Sequence, residues 1–267
     1  MTNQMLTKAQ SINVLSDYLG IHDLPSLTQA SLQAQYRFKQ ADLCILYGGS
    51  IIAGGDVLAE AIKNQLAKYF IISGGNGHTT HFLRSEMARV LPGTNLDNLS
   101  EAEMFQLYMQ RKYQLQADFL ETDSTNCGNN VTNVLALAKA HHLPTDKLIV
   151  IQDATMQRRM QAVLLKESPQ SQIINYASYQ NHVKVQHDQL VFTNHTAGMW
   201  TFTHFLQLLM GEIPRLTDDH NGYGPRGKNY LAHVEVPRTV QNAFNYLKNI
   251  NPAAVREANP AFATKKN

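Results

Sequence analysis

Short apolar runs recur along the chain, with amphipathic stretches between them. The strongest cover residues 43–47, 69–72 and 148–151, and weaker ones cover 172–176, 190–192 and 118–120. Runs of this length bounded by Gly or Asp suit strands of a parallel sheet, which are covered on both faces and need no polar alternation. Between them, Val57, Leu58, Ala61, Ile62 and Leu66 fall at helical spacing, as do Phe82, Leu83, Met87 and Val90, and again Val131, Val134, Leu135 and Ala138. Such stripes face a core. Strands alternating with helices predict βαβ crossovers and an α/β fold, a Rossmann-like open parallel sheet.

The ends of the chain read differently. Ile12, Leu15 and Leu19 keep helical spacing without a strand run, and residues 197–209 and 240–247 also read as helices. The expectation is a Rossmann-like domain over residues 39–195. Residues 1–38 and 196–267 would form a smaller, mainly helical lobe packed against it, with the last ten residues loosely held.

Composition narrows the class. The chain has 267 residues, a formal net charge of +2, 16% charged and 43% hydrophobic residues. That balance excludes disorder and lacks the concentrated basic face of a nucleic-acid reader. No stretch approaches the ~18 consecutive apolar residues of a membrane span. The first twenty residues do not read as a signal peptide, so cytoplasm is the expected location. Two cysteines, Cys44 and Cys127, are too few for a disulfide framework or a structural zinc site. The histidines form no metal-ligand pattern, so no metal is expected.

Ligands of open parallel sheets bind outside the carboxyl ends of the strands. The segment after the first strand is YGGSIIAGG, with Gly48, Gly49 and Ser50. After the second comes SGGNGHTTH, with Ser73, Gly74, Gly75, Gly77 and His78. Glycines let the backbone approach a ligand, and a following helix start offers free N–H groups. Either loop suits a phosphate, a carboxylate or a ribose edge; either also serves as a plain tight turn. Next is the dense polar run with Glu121, Ser124, Thr125, Asn126, Asn129 and Asn130, read as neutral donors and acceptors at a cleft beyond what helix capping by Ser124 or Thr125 requires. Asp153 ends the third strong run as the best candidate general base, and Arg158 and Arg159 open the next helix. Cys127 has no paired base, which argues against a nucleophile. Residues 217–230 carry Asp218, Asp219, Tyr223 and Arg226 among glycines, and read either as a lid over the cleft or as a loop docked between lobes.

Three segments together, STNCGNN, VIQDATMQRR and DDHNGYGPRGKNYLAHVEVP, closely resemble the YdcF family, a widespread bacterial group of unknown function that also includes SanA and ElyC. The likeness runs from about residue 41 to residue 237. It implies a Rossmann-like sheet, a smaller helical part and a nucleotide-type cleft, with S-adenosylmethionine as the ligand. Carried over by position, the family's glycine loops fall on Gly48, Gly49, Ser73, Gly74 and Gly75. Its helix-borne glutamate falls on Glu101, its polar cluster on Glu121, Ser124, Asn126 and Asn130, and its arginine on Arg159. Two departures are that Asn129 stands where the family often has an acid, and Met156 where it often has a histidine. On this reading Glu101 or Glu121 takes the ribose hydroxyls and Arg159 grips a carboxylate of a small nucleotide-type ligand. Transferase chemistry is the enzymatic form of that reading. The alternatives are a hydrolase or transferase acting on a phosphate ester or envelope precursor, and a non-enzymatic ligand sensor.

Overall fold

The structure, a computed structural model, describes residues 3–77 and 79–255. Five strands, β1 (Ala41–Tyr47), β2 (Ala67–Ser73), β3 (Phe119–Glu121), β4 (Lys147–Ile151) and β5 (Gln172–Asn175), form one parallel sheet in the order β3-β2-β1-β4-β5. The chain starts at the centre, builds outward to β3, then returns to the other side of β1. That reversal puts the topological switch point between β1 and β4, where open α/β sheets bind ligands.

Every residue of β1 is buried. Its side chains alternate between two cores, as strand geometry requires. Leu43, Ile45 and Tyr47 join Ile71, Leu148 and Val150 on one face; Cys44 and Leu46 join Phe70, Ile72, Ile149 and Ile151 on the other. The second face is covered by α2 (Gln29–Tyr36), α3 (Ala53–Lys63), α4 (Thr80–Val90) and α5 (Glu101–Tyr113), through Leu32, Leu58, Leu83, Met87, Met104 and Phe105. The first is covered by α6 (Cys127–Ala140) and α7 (Gln157–Glu167) through Val131, Val134, Met160 and Leu164.

The terminal helices α1 (Asn3–Leu19), α8 (Phe202–Leu216) and α9 (Arg238–Ile250) pack on one another and on the first face. Their apolar residues, among them Ile12, Leu15, Phe205 and Val240, belong to the same buried cluster as Leu43 and Ile45. The helical part from the termini thus shares a core with the sheet, while α2 lies on the opposite face. The last ten residues are outside the described residues.

One strand expectation needs correcting. Residues 190–192 do not extend the parallel sheet. They lie in β7 (Gln189–Phe192), which pairs antiparallel with β6 (Val183–Gln186) as a separate hairpin. The reason is its partner: the hairpin lies against α1, where the Asn13 amide donates to Val183 O (3.0 Å) and accepts from Val183 N–H (2.8 Å) like a strand neighbour. The edge of β5 is closed by residues 21–23. Asp23 accepts from the Asn175 backbone N–H at 2.7 Å, and its own N–H donates to Asn175 O at 2.8 Å.

Because α8 shares the sheet's core, Phe205→Ala should destabilise the whole molecule by about 3–5 kcal/mol, the range for deleting a buried aromatic ring. Denaturant unfolding followed by far-UV circular dichroism and by Trp200 emission should show one shifted transition. Two separated transitions, with only the second unmoved, would show that the terminal helices fold independently.

Candidate functional site

The carboxyl edge of the sheet is assembled from backbone outward. Gly48 N–H donates to Ser73 O at 2.5 Å, and Gly74 N–H to Glu121 O at 2.9 Å, so the loops after β1, β2 and β3 are tied in a row. Ser50 Oγ donates to Thr79 O at 3.1 Å and joins the first loop to the second. The glycines are required by crowding. A Cβ on Gly75 would lie 2.3 Å from Ser124 O, and one on Gly48 would lie 2.5 Å from a Glu101 oxygen.

Glu101 reaches this point because of a capping box. Ser100 Oγ accepts from Glu103 N–H at 3.2 Å, and Ser100 N–H donates to Glu103 at 2.7 Å, which starts α5 at Glu101. The Glu101 and Ala102 N–H groups donate to Gly75 O and Gly74 O. The carboxyl is buried. Oε1 accepts from Thr80 Oγ1 at 2.7 Å, and Thr80 Oγ1 itself accepts from Gly77 N–H at 2.7 Å. Oε2 faces Gly48 and Gly74 and accepts no hydrogen bond from the described residues. Burial lifts the Glu101 pKa from 4.5 to about 7, against the opposing effects of the Thr80 hydrogen bond and the Arg84 charge.

Glu121 has the opposite environment. Oε1 accepts from the N–H groups of Asp123 and Ser124 (both 2.8 Å) and from Asn133 Nδ2 (2.9 Å), and Oε2 accepts from Ser73 Oγ (2.7 Å). Burial pushes its pKa up, but these donors outweigh it and hold the carboxyl below its usual value. Ser124 Oγ also donates to Asn130 Oδ1 at 2.6 Å, and Ser73 Oγ lies 3.0 Å from the same oxygen. Glu121, Ser73, Ser124 and Asn130 thus form a closed network that holds the loop after β3. Asn126 is the N-cap of α6, accepting from Asn129 N–H at 3.0 Å, and exposed Thr125 donates to Asn129 Oδ1 at 3.4 Å.

Asp153 lies at the switch point. Oδ1 accepts from Thr155 N–H (2.8 Å), Thr155 Oγ1 (2.8 Å) and Tyr179 Oη (2.9 Å), and Oδ2 from Trp200 Nε1 (2.8 Å). A carboxylate so engaged positions its neighbours and is a poor free base. The expectation of a general base at Asp153 therefore loses its geometric support. Arg159 also departs from its expected role. It makes a bidentate pair with buried Glu212 of α8, Nε at 2.6 Å and Nη2 at 3.1 Å, and does not reach for a ligand. Burial disfavours its charge, but the Glu212 carboxylate paired with it more than restores it. Burial also pushes the Cys127 thiol up, so it stays protonated at neutral pH. Arg158 donates to Tyr18 O and stacks on the Tyr18 ring at 4.1 Å.

Of the two readings of residues 217–230, the docked loop is the one observed. Gly222, Gly224 and Gly227 are packed against the loop's own backbone and Asp218. Ala232 N–H donates to Ala162 O of α7, and Leu231 is fully buried. Tyr223 is half-buried, edge-on to Tyr230 at 5.4 Å; Arg226 is exposed, and its backbone N–H donates to Asp218 at 2.8 Å. His78 lies outside the described residues.

The structure thus brings Gly48, Gly49, Ser50, Ser73, Gly74, Gly75, Gly77, Glu101, Glu121, Ser124, Asn130 and Asp153 to one edge. It leaves Arg159, Tyr223 and Arg226 in the α7–α8 contact or the docked loop. Sequence reasoning missed Thr80, Gln152, Tyr179, Trp200 and Glu212. Two of these carried a signal: Glu212 is the single acid between Trp200 and Thr217, and Trp200 is the chain's single tryptophan. No helix among the described residues is long and apolar enough to cross a membrane. No family model matches the chain.

Glu101 ties stability to pH. Its pKa is higher folded than unfolded, so its contribution is fully present below the unfolded value near 4.5 and is lost as pH rises through about 7. Glu101→Gln removes that loss. The difference in Tm between Glu101→Gln and wild type should grow in favour of the variant from pH 5 to pH 8, by up to about 3 kcal/mol in stability. A difference flat across that range would show that Glu101 titrates normally. For the ion pair, Glu212→Gln leaves Arg159 buried without its counter-charge, and should cost about 3–5 kcal/mol in denaturant unfolding.

Proposed function

We propose that the chain binds S-adenosylmethionine, or a closely related adenosine-type ligand, across the loops at the carboxyl edge of β1, β2 and β4. The observation that carries the reading is the second oxygen of the Glu101 carboxyl, which stands between two glycine loops and accepts no hydrogen bond from the described residues. A ribose diol supplies the donors that such an oxygen lacks. Glu121 is already satisfied by four donors, so the ribose role belongs to Glu101 alone.

The charge pattern favours this ligand over a phosphate ester. Glu101, Glu121 and Asp153 stand at the edge. Nearby arginines are committed elsewhere: Arg159 to Glu212, and Arg84 to Leu96 O and Leu99 O at 2.9 and 3.1 Å. Clustered carboxylates attract a sulfonium cation and repel a phosphate. The resemblance to the YdcF family points the same way. Binding is what the geometry supports; with Asp153 engaged, group transfer would need its base from the co-substrate or from another residue.

Titration calorimetry with S-adenosylmethionine, adenosine and adenosine monophosphate tests the reading, with Trp200 emission as a second signal because its indole bonds to Asp153. S-adenosylmethionine should bind best and the monophosphate worst. Glu101→Gln should weaken S-adenosylmethionine by about 1.5–3 kcal/mol, the range for a hydrogen bond to a charged group. Because the ionised carboxylate is the acceptor, wild-type affinity should rise from pH 6 to pH 8, and the Glu101→Gln affinity should not. Preferential binding of the monophosphate would replace this reading with the phosphate-ester one.

A further inference from the structure

A small cavity of about 10 Å³ lies at the switch point beneath the loop after β1, lined by Leu46, Gly49, Gly54, Gln152, Asp153 and Ser178, among others. It has room for one heavy atom. Its lining is polar in a particular way. Ser178 is 5% exposed, and its Oγ is buried without a hydrogen-bond partner. Gln152 Oε1 accepts only the short bond from Asp153 N–H (2.6 Å), while its Nε2 donates to Gly48 O at 3.2 Å. Asp153 Oδ2 accepts only Trp200 Nε1. A carboxylate oxygen and an amide oxygen each have two lone pairs, and a serine hydroxyl accepts as well as donates. Three of the residues that line this space for one atom therefore carry acceptors with spare capacity, one of them a carboxylate.

We propose that this cavity is a subsite for a protonated primary amine, whose three N–H donors meet Ser178 Oγ, Gln152 Oε1 and the Asp153 carboxylate. An ammonium nitrogen has the size of the cavity, carries donors only, and brings the charge that Asp153 lacks. A carboxylate or phosphate oxygen has the wrong sign beside Asp153. A resident water matches the size but not the charge, and is the alternative to be tested. The inference deepens the proposed function and rests on it to this extent: an adenosine-type ligand with its ribose at Glu101, between Gly48 and Gly74, would cross β1 and present its far end to β4, where the subsite lies. Gly48 joins the two, since Glu101 Oε2 stands against its Cα while Gln152 bonds to its carbonyl.

The experiment uses two uncharged-sulfur ligands that differ in the amino-acid arm, S-adenosylhomocysteine and methylthioadenosine, on the whole chain. Wild type should bind the first at least tenfold more tightly, and Ser178→Ala should reduce that preference to less than threefold while leaving methylthioadenosine affinity unchanged. Equal affinities in wild type, or an unchanged preference in Ser178→Ala, would overturn the subsite and leave a resident water only. Should neither adenosine compound bind, the nucleotide reading fails by itself. The subsite is then judged by thermal shift with methylammonium chloride against tetramethylammonium chloride. Methylammonium alone should raise the Tm of wild type, and neither should raise that of Ser178→Ala. Equal shifts from both salts would overturn the subsite as well.

Discussion

A parallel sheet covered on both faces has no polar surface except at its ends, and here the carboxyl end is organised by three buried carboxyl groups. Taking a carboxylate out of water is expensive unless donors replace the lost hydration. Glu121 and Asp153 meet that demand by gathering donors from six separate segments: the end of β2, the loop after β3, α6, the loop after β4, the segment after β5 and the segment that carries Trp200. The loops are held where they are because each acid would otherwise be unpaired. Glu101 is the exception, with one oxygen supplied by Thr80 and the other facing glycine backbone. Burial lifts its pKa to about 7, where Glu121 with its several donors is held below its usual value.

The contrast between Glu101 and Glu121 shows why residue type alone does not assign a role. Both are glutamates at the carboxyl edge, and both are 6% exposed. What separates them is the count of donors. Glu121 follows its strand directly, so the turning backbone aims the N–H groups of Asp123 and Ser124 back at it. Glu101 sits at the first position of a helix whose N–H groups are taken by glycine carbonyls, and only a threonine side chain reaches it. The same acid is a structural clamp in one place and a carboxyl with a single donor in the other.

The sheet was legible from the sequence because buried parallel strands leave continuous apolar runs, and 43–47, 69–72 and 148–151 fall within the observed β1, β2 and β4. The glycine loops were legible for a related reason, since strands this close at their ends have no room for side chains. The hairpin was not, because a short apolar run does not say whether its neighbour is another strand of the sheet or the side chain of Asn13 on a distant helix. The roles of Arg159 and Asp153 were hidden similarly. Their partners, Glu212, Tyr179 and Trp200, lie 26 to 53 residues away in sequence, and pairing at that range is decided by packing. By contrast, Ser100 and Glu103 spell out a capping box, a local signal that fixes where α5 begins and hence where Glu101 stands.

The terminal helices matter to the site through just such long-range partners. Trp200 immediately precedes α8 and bonds to Asp153; Glu212 lies in α8 and holds Arg159 at the first turn of α7. Gly198, at φ +71°, lets the strap pass close over Ile52, where a Cβ would stand 3.3 Å from the Ile52 nitrogen. The loop after β1 is thus confined from below by Gln152 and Ser178 and from above by the strap. The switch point and the helical face are therefore tied together by two hydrogen-bonded contacts.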